Sequence, residues 1–359
     1  MKKTLLATAI AGALGVSAAA QAATVYDQDG TQVDVYGRLN LGVTTGGVQE
    51  STTAKEDGSE FVDVFSRFGF RARHQVAPDL QVFANMEFRP RMDAQNRGED
   101  GDGMQVRNTF AGLRGDNWGM FRLGNFDGVL YQSLTSKFEI QEYEGFTTLS
   151  GGATSSRGDS FQYSTPVLGG FQAHVQAKHL SGNDALLDGT DNSSTMTWQA
   201  AVNYQWQDLY LAAGYNQSKD VRDRGASYDG GGPNAAGEDI WAAGATYQFT
   251  PAFRAGVKYE EVTDLREQND LSDTAIENLW TLMAVFDYGM GEIYADYNRV
   301  RMALDGLDSQ NRWTLGANYR FSRPMYVWAE LVDTDFDADQ AVSDINDDLR
   351  FTVGLRYDF

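Results

Sequence analysis

The sequence predicts an all-β protein: a 16-stranded antiparallel transmembrane barrel with short turns at one end, long loops at the other and the third long loop folded inward. Three observations carry this expectation. Segments of about ten residues alternate apolar and polar side chains along almost the whole chain, which is the period of a strand and not of a helix. The connections between them are alternately short and long. Downstream of the first twenty residues, no apolar run approaches the ~18 residues that a membrane-crossing helix needs; the longest is Trp280 to Phe286.

The first element is a leader. Met1-Lys2-Lys3 is basic, Leu5 to Ala20 is apolar, and Ala20-Gln21-Ala22 has the small-x-small pattern of a cleavage site. Residues 1–22 are therefore expected to be a signal peptide and 23–359 one exported domain of a bacterium with two membranes. Composition narrows the rest. The 359 residues include no cysteine and 3 histidines, which excludes disulfides and Cys-ligated metal and leaves little for a histidine centre. A net charge of −21 would repel a phosphate backbone, so a nucleic-acid partner is not expected. With 42% hydrophobic residues the chain is not a disordered acidic tail. No nucleophile–base pair, phosphate-cradling glycine loop or metal-spaced histidine pair is found, so neither an enzyme nor a cofactor is expected.

The strands follow in order near 33–44, 60–76, 80–91, 105–115, 119–125, 157–165, 170–180, 196–206, 209–218, 238–249, 252–263, 277–288, 291–302, 311–321, 325–334 and 349–359. The last is the clearest. Leu349, Phe351, Val353, Leu355, Tyr357 and Phe359 share one face, and Arg350, Thr352, Gly354, Arg356 and Asp358 the other. Breaker residues such as Pro78-Asp79, Gly169-Gly170 and Arg323-Pro324 mark the short turns. Backbone groups in hydrocarbon must all be paired, so such a sheet has to close, and sixteen strands enclose an aqueous space. The polar faces include Arg38 and Asn40, Arg67, Arg71 and Arg73, and Asn85, Glu87 and Arg89, a lining suited to water. Aromatics keep mainly to the opposite parity; Tyr36, Phe83, Tyr210, Tyr294 and Trp328 are the inward exceptions.

The longest connection, 126–156, contains Leu130, Tyr131, Phe138, Ile140, Tyr143 and Phe146 among acidic residues. A loop in free solvent has no use for so much apolar surface, whereas a loop folded back on the barrel wall does. It is the candidate for narrowing the passage. The acidic stretch 335–348 carries six aspartates without a Lys or Arg, a pattern that suits a solvated loop or, alternatively, hard cations that bridge to lipopolysaccharide.

In this order, Val35-Tyr36-Gly37-Arg38, Ser66-Arg67-Phe68-Gly69-Phe70, Arg107-Asn-Thr-Phe-Ala-Gly-Leu-Arg114, Leu168-Gly169-Gly170-Phe171 and the terminal Tyr357-Asp358-Phe359 resemble the general, non-specific trimeric porins of Gram-negative outer membranes. The resemblance covers 23–359. It implies a homotrimer in the outer membrane, in contact with lipid and lipopolysaccharide, that lets ions and small hydrophilic solutes diffuse passively. It also implies that the third loop sets acids against basic residues at the narrowest point. Carried over by motif, the basic side is Arg38, Arg67, Arg107 and Arg157. Gln141-Glu142-Tyr143-Glu144-Gly145 stands where the family has Pro-Glu-Phe-Gly-Gly, which nominates Glu142, with Glu139 and Glu144 as additional acids. The final aromatic strand, with Tyr357 and Phe359, resembles the signal read by the barrel assembly machinery. The alternatives are a substrate-specific channel, for example for sugars, and a secreted β-rich carbohydrate-active protein.

Overall fold

The computed structural model describes residues 22–45, 59–90, 92, 104–149, 158–180, 194–217, 237–265, 275–334 and 349–359. Residues 1–21 of the expected 1–22 leader, Arg157 and the 335–348 stretch lie outside the described residues. The strands are β1 (Ala23–Gln28), β2 (Thr31–Thr45), β3 (Ser59–Asp63), β4 (Arg67–Ala77), β5 (Leu80–Pro90), β6 (Met104–Val106), β7 (Thr109–Gly115), β8 (Gly119–Asn125) and β9 (Asp159–Ser164). Then come β10 (Phe171–Leu180), β11 (Thr195–Trp206), β12 (Leu209–Gln217), β13 (Gly237–Thr250), β14 (Phe253–Leu265) and β15 (Ile276–Asp287). The last are β16 (Glu292–Met302), β17 (Gln310–Ser322), β18 (Met325–Thr334) and β19 (Arg350–Asp358).

These 19 segments make sixteen staves. β3 continues into β4, β6 into β7, and β1 and β19 lie end to end along one edge of β2. All pairings are antiparallel, and β19 joins β2 from Asp358↔Arg38 to Thr352↔Thr44, so the sheet closes on itself as expected. The β1–β2 hairpin was not among the expected strands. Its turn is Asp29-Gly30, with φ of 52° and 74°, the left-handed pair that a tight two-residue hairpin needs. That dipeptide was the readable signal.

The wall is inside out relative to a soluble sheet. Along β17, Trp313, Leu315, Tyr319 and Phe321 are exposed and Thr314, Gly316 and Asn318 are buried. An exposed apolar row of this kind suits hydrocarbon, while polar side chains find partners inside.

Two staves are interrupted where one uninterrupted strand was expected. Across β2, register runs from Leu41↔Asp63 to Arg38↔Arg67, so Val64, Phe65 and Ser66 stand opposite two residues. The extra residue, with Phe65 at φ 60°, switches the facing parity. Strict alternation from the exposed Phe61 would send Arg67 to the lipid; the bulge turns it to the lumen. β6 and β7 repeat the device. Register moves from Phe88↔Val106 to Asn85↔Phe110, with Arg107 in the interruption.

The expectation of a polar lining holds mainly for β2 to β11. On β12 to β16 the inward face mixes the two kinds of side chain: Lys258, Glu260, Asp296 and Asn298 are buried there, while Tyr210, Ala212, Ala242, Met283, Val285 and Tyr294 form one buried cluster with the third loop. Ile240, Val262, Leu279 and Val300 form a second, with Leu149 from the same loop.

Candidate constriction site

The third loop enters the lumen after β8. A short helix, α1 (Val129–Ser133), and a single 3-10 turn at Thr135–Lys137 lay Leu130, Leu134 and Phe138 on the apolar inner wall, each almost completely buried. Such burial is what the sequence of this loop demands, at about 1.5–3 kcal/mol for each large apolar side chain. Polar ties complete the seat. The Val129 N–H donates to Gln176 Oε1 at 2.8 Å, and the Tyr210 hydroxyl to the Ser133 carbonyl at 2.5 Å. Further along, the Glu330 carboxylate accepts the backbone N–H groups of Glu142 and Tyr143, both at 2.8 Å. Gln141 donates to Asp296. A buried pair, Lys258 Nζ to Glu260 Oε2 at 2.5 Å, holds the end of the loop: Lys258 donates to the Thr147 carbonyl at 3.1 Å, and Glu260 accepts from Thr148 Oγ1 at 2.8 Å.

The basic residues stand on another part of the wall. Arg38 and Arg67 are direct cross-strand partners, an arrangement that like charges disfavour. Arg38 Nε is paired with Asp358 at 2.7 Å, and Arg107 with Glu87 at 3.5 Å. Arg67 has neither an ion pair nor a hydrogen bond to its guanidinium among the described residues; Arg38, Arg107, Glu87 and Glu139 are its charged neighbours. Thus Arg38, Arg67 and Arg107 are brought together, with loop carboxylates in their field: Asp127 and Glu139 beside Arg107, Glu139 beside Arg67 and Glu142 beside Arg38.

The three loop acids have separate surroundings. Glu139 is exposed and accepts from the Tyr131 hydroxyl. Glu142 is turned into the wall, where it accepts from Asn40 Nδ2 at 3.1 Å, the Tyr326 hydroxyl at 2.5 Å and Arg356 at 3.2 Å. Its burial raises its pKa above the ordinary glutamate value, against the opposing pull of the Tyr326 hydroxyl and the Arg38 charge. Glu144 pairs with Arg350 at 2.8 Å. Gly145 closes this tip at φ 100°, with Thr314 so near that a Cβ would strike its hydroxyl.

Sequence reasoning did not single out Arg350, Arg356, Glu330, Asp296, Lys258 or Glu260 as site residues. Each sits at an inward position of its strand, so parity alone marked them as lumen residues. Nothing local marks which segment, 100 residues or more away, each one meets. Four of the five inward aromatics are buried: Tyr36, Tyr210, Tyr294 and Trp328. Tyr36 donates to Asn85 and Glu87, and Trp328 to Asn40, so these rings serve the wall and the loop.

A closed sixteen-stave barrel with short turns, a polar arc of wall and a loop seated in its lumen is the form of an outer-membrane diffusion channel. The chain belongs to the Gram-negative porin family, whose model matches residues 7–339. It is 27% identical to a monosaccharide porin of a Halomonas species, over 95% of this chain and 97% of that protein. It is 26% identical to outer membrane porin F of Salmonella typhi, over the whole of both. Among solved structures, Salmonella typhi OmpF in complex with daunomycin superposes with a TM-score of 0.69 at 22% identity, covering 94% of this chain and 100% of that one. The anion-selective porin of Comamonas acidovorans gives 0.66 at 20%, covering 92% and 100%. The protein is an outer-membrane porin for passive diffusion of ions and small hydrophilic solutes.

Proposed function

We propose that passage is limited where the third loop, expected over 126–156, faces Arg38, Arg67 and Arg107, and that the channel is non-specific. The observation that carries this reading is the Arg67 guanidinium, without an ion pair among the described residues and beside two other arginines, with Glu139 of the loop in its field. Opposed charges across a narrow gap are weakly screened and create a transverse field that favours polar solutes over apolar ones. Arg157, the fourth residue nominated by motif, stays part of the proposal, as do Glu142 and Glu144. These two act through Arg356 and Arg350 in seating the loop. A sugar track of exposed inward aromatics has little support, since four of those five rings are buried. The decisive experiment is the triple replacement of Arg38, Arg67 and Arg107 by alanine in planar bilayers. Conductance and cation preference should both rise; an unchanged reversal potential in a salt gradient refutes the assignment.

The same reading extends to partners. The channel works as a homotrimer, checked by heat-modifiable migration in detergent. Tyr357 and Phe359 present the assembly signal to the barrel assembly machinery. The 335–348 aspartates bridge through divalent cations to lipopolysaccharide, which chelation followed by lipid release would test.

A further inference from the structure

We infer that the outer wall carries a binding site for one lipopolysaccharide molecule: a groove across β11 to β15 takes an acyl chain, and Arg299 beside its external end takes a phosphate of the headgroup. The groove has a volume of about 550 Å³ and is lined almost wholly by outward-facing apolar side chains. Its origin is visible in the register. Ala213 and Ala243 stand side by side in the row Val202–Ala213–Ala243–Tyr259–Trp280. In the next row toward the periplasm, Ala245 stands between Leu211 and Val257. Three small side chains among larger neighbours leave a furrow in the wall. Trp241, Tyr259 and Trp280 bound it toward the external end, with successive ring centroids 5.2 and 4.5 Å apart.

The row does not stop at the aromatics. Trp280 is the cross-strand partner of Arg299, and Arg299 that of Asn311. Arg299 is exposed and keeps the outward parity of Ile293 and Tyr297. It has neither an ion pair nor a hydrogen bond to its guanidinium among the described residues, whereas Arg301, two positions on, is held by Glu277 at 3.1 Å. Asn311 accepts from the Tyr297 hydroxyl at 2.5 Å, which leaves its amide N–H groups as further donors beside Arg299.

This end of β16 leads to a long connection, so Arg299 stands at the external boundary, where aromatic rings mark the headgroup level. A lipid-facing arginine is costly in hydrocarbon and is relieved when its guanidinium reaches headgroup oxygens, above all the paired oxygens of a phosphate. Two barrels meet on convex faces, and neither offers a projection narrow enough to fill a furrow between aromatic rings; a flexible acyl chain does. The charge then selects a lipid of the external leaflet whose phosphates lie close to its chains. Unlike the cation-bridged contact proposed for 335–348, this one needs no divalent ion.

The inference rests on the chain being an outer-membrane porin, and the experiment separates the two. Purified porin in detergent, stripped of bridging cations with EDTA, is titrated with lipid A carrying both its phosphates and, as control, with dephosphorylated lipid A. Bound lipid is counted by native mass spectrometry, and chloride conductance is recorded in planar bilayers. Wild type should bind the phosphorylated lipid saturably and roughly tenfold or more tightly than the control. Arg299→Ala should lose that preference, Arg299→Lys should keep part of it, and Arg301→Ala should stay close to wild type. Ala243→Trp, which fills the furrow from the lipid side, should weaken both lipids alike. Conductance should be unchanged in all of them, since none of these positions faces the lumen. Equal binding of the two lipids by wild type, or wild-type affinity for the phosphorylated lipid in either Arg299→Ala or Ala243→Trp, overturns the site. Cross-linking of two copies through Ala243→Cys overturns it as well, because a second copy would then cover this face. A wild-type chain that carries no chloride current would instead count against the channel itself.

Discussion

Two arcs of one barrel share the same alternation and the same pairing and differ in what they turn inward. From β2 to β8 the inner face carries Arg38, Arg67, Arg71, Arg73, Arg107, Arg114 and Arg122. From β12 to β18 it carries apolar side chains and the carboxylates of Glu260, Asp296 and Glu330, buried beneath the loop, with Lys258 and Arg312 among them. The loop can bind only one of them. Its apolar face and its backbone donors go to the second arc, and what remains free faces the first. The difference teaches that the charge of the passage does not follow from counting loop acids. Glu142 and Glu144 are engaged by Arg356 and Arg350, so Asp127 and Glu139 are the loop acids left to face Arg107 and Arg67.

The largest effect is expected at the seam that joins the two arcs. Phe359 exchanges backbone hydrogen bonds with Gly37 at 2.7 and 2.9 Å, and its ring lies where a Cβ on residue 37 would be. Deletion of Tyr357 to Phe359 removes these bonds and opens an edge, which a membrane does not tolerate. Protease-sensitive periplasmic chain in place of outer-membrane protein is the expected outcome, read by fractionation. Normal surface-exposed barrels from the truncated gene would show that the seam is dispensable.

Next comes the docking arc. Leu130 and Phe138 are each about 1% exposed, and truncating such side chains costs on the order of 2–5 kcal/mol apiece. The double alanine variant should keep its barrel, because the staves do not depend on the loop. It should conduct more and admit larger sugars in liposome-swelling assays. Wild-type conductance and cut-off would mean that the polar ties to Glu330 and Lys258 suffice for seating.

The arginine arc should respond more modestly and unevenly. Arg107 is partly cancelled by Glu87 at 3.5 Å, whereas Arg67 has no ion pair among the described residues. Arg67→Ala should therefore move the reversal potential toward cations further than Arg107→Ala does. Equal shifts would show that local pairing does not grade the ladder.

How much of this was legible follows from how far each signal extends along the chain. Staves such as Trp313 to Phe321 announce themselves because lipid selects every second side chain. The apolar residues of the loop were readable as surface in need of cover. The cover itself was not, since the inward apolar residues of β12 to β16, such as Ala212, Ala242 and Met283, are scattered among polar residues of the same parity. The arginines were placed by motif, but the residue that turns Arg67 inward, Phe65, leaves no mark: one extra residue in a strand changes neither composition nor length appreciably. Glu330 and Lys258 were unreadable for a different reason, because their partners are joined to them only by closure of the barrel.

The smallest effect expected is a pH dependence that arises at Glu142, where the two arcs share a residue. Burial raises its pKa above the ordinary glutamate value of 4.5, so it takes up a proton on acidification before exposed glutamates do. Two consequences have definite signs. Protonation removes a negative charge beside Arg38 and Arg356, so the passage becomes more positive and cation preference falls as pH drops toward the ordinary glutamate range. A raised pKa also means that the seated loop binds this proton more tightly than a released loop would. Its contribution to seating is therefore fully present below pH about 4.5 and is lost as pH rises through the raised value. Mild acid should not loosen the loop through this residue. Glu142→Gln should show the acid-like permeability ratio already at neutral pH and a flatter profile, with open-channel noise no greater than that of wild type. The shift should be smaller than for Arg67→Ala, because Arg356 offsets the charge that is lost. A wild-type profile in the variant would place the titrating group elsewhere, and rising noise on acidification would reverse the sign assigned to seating.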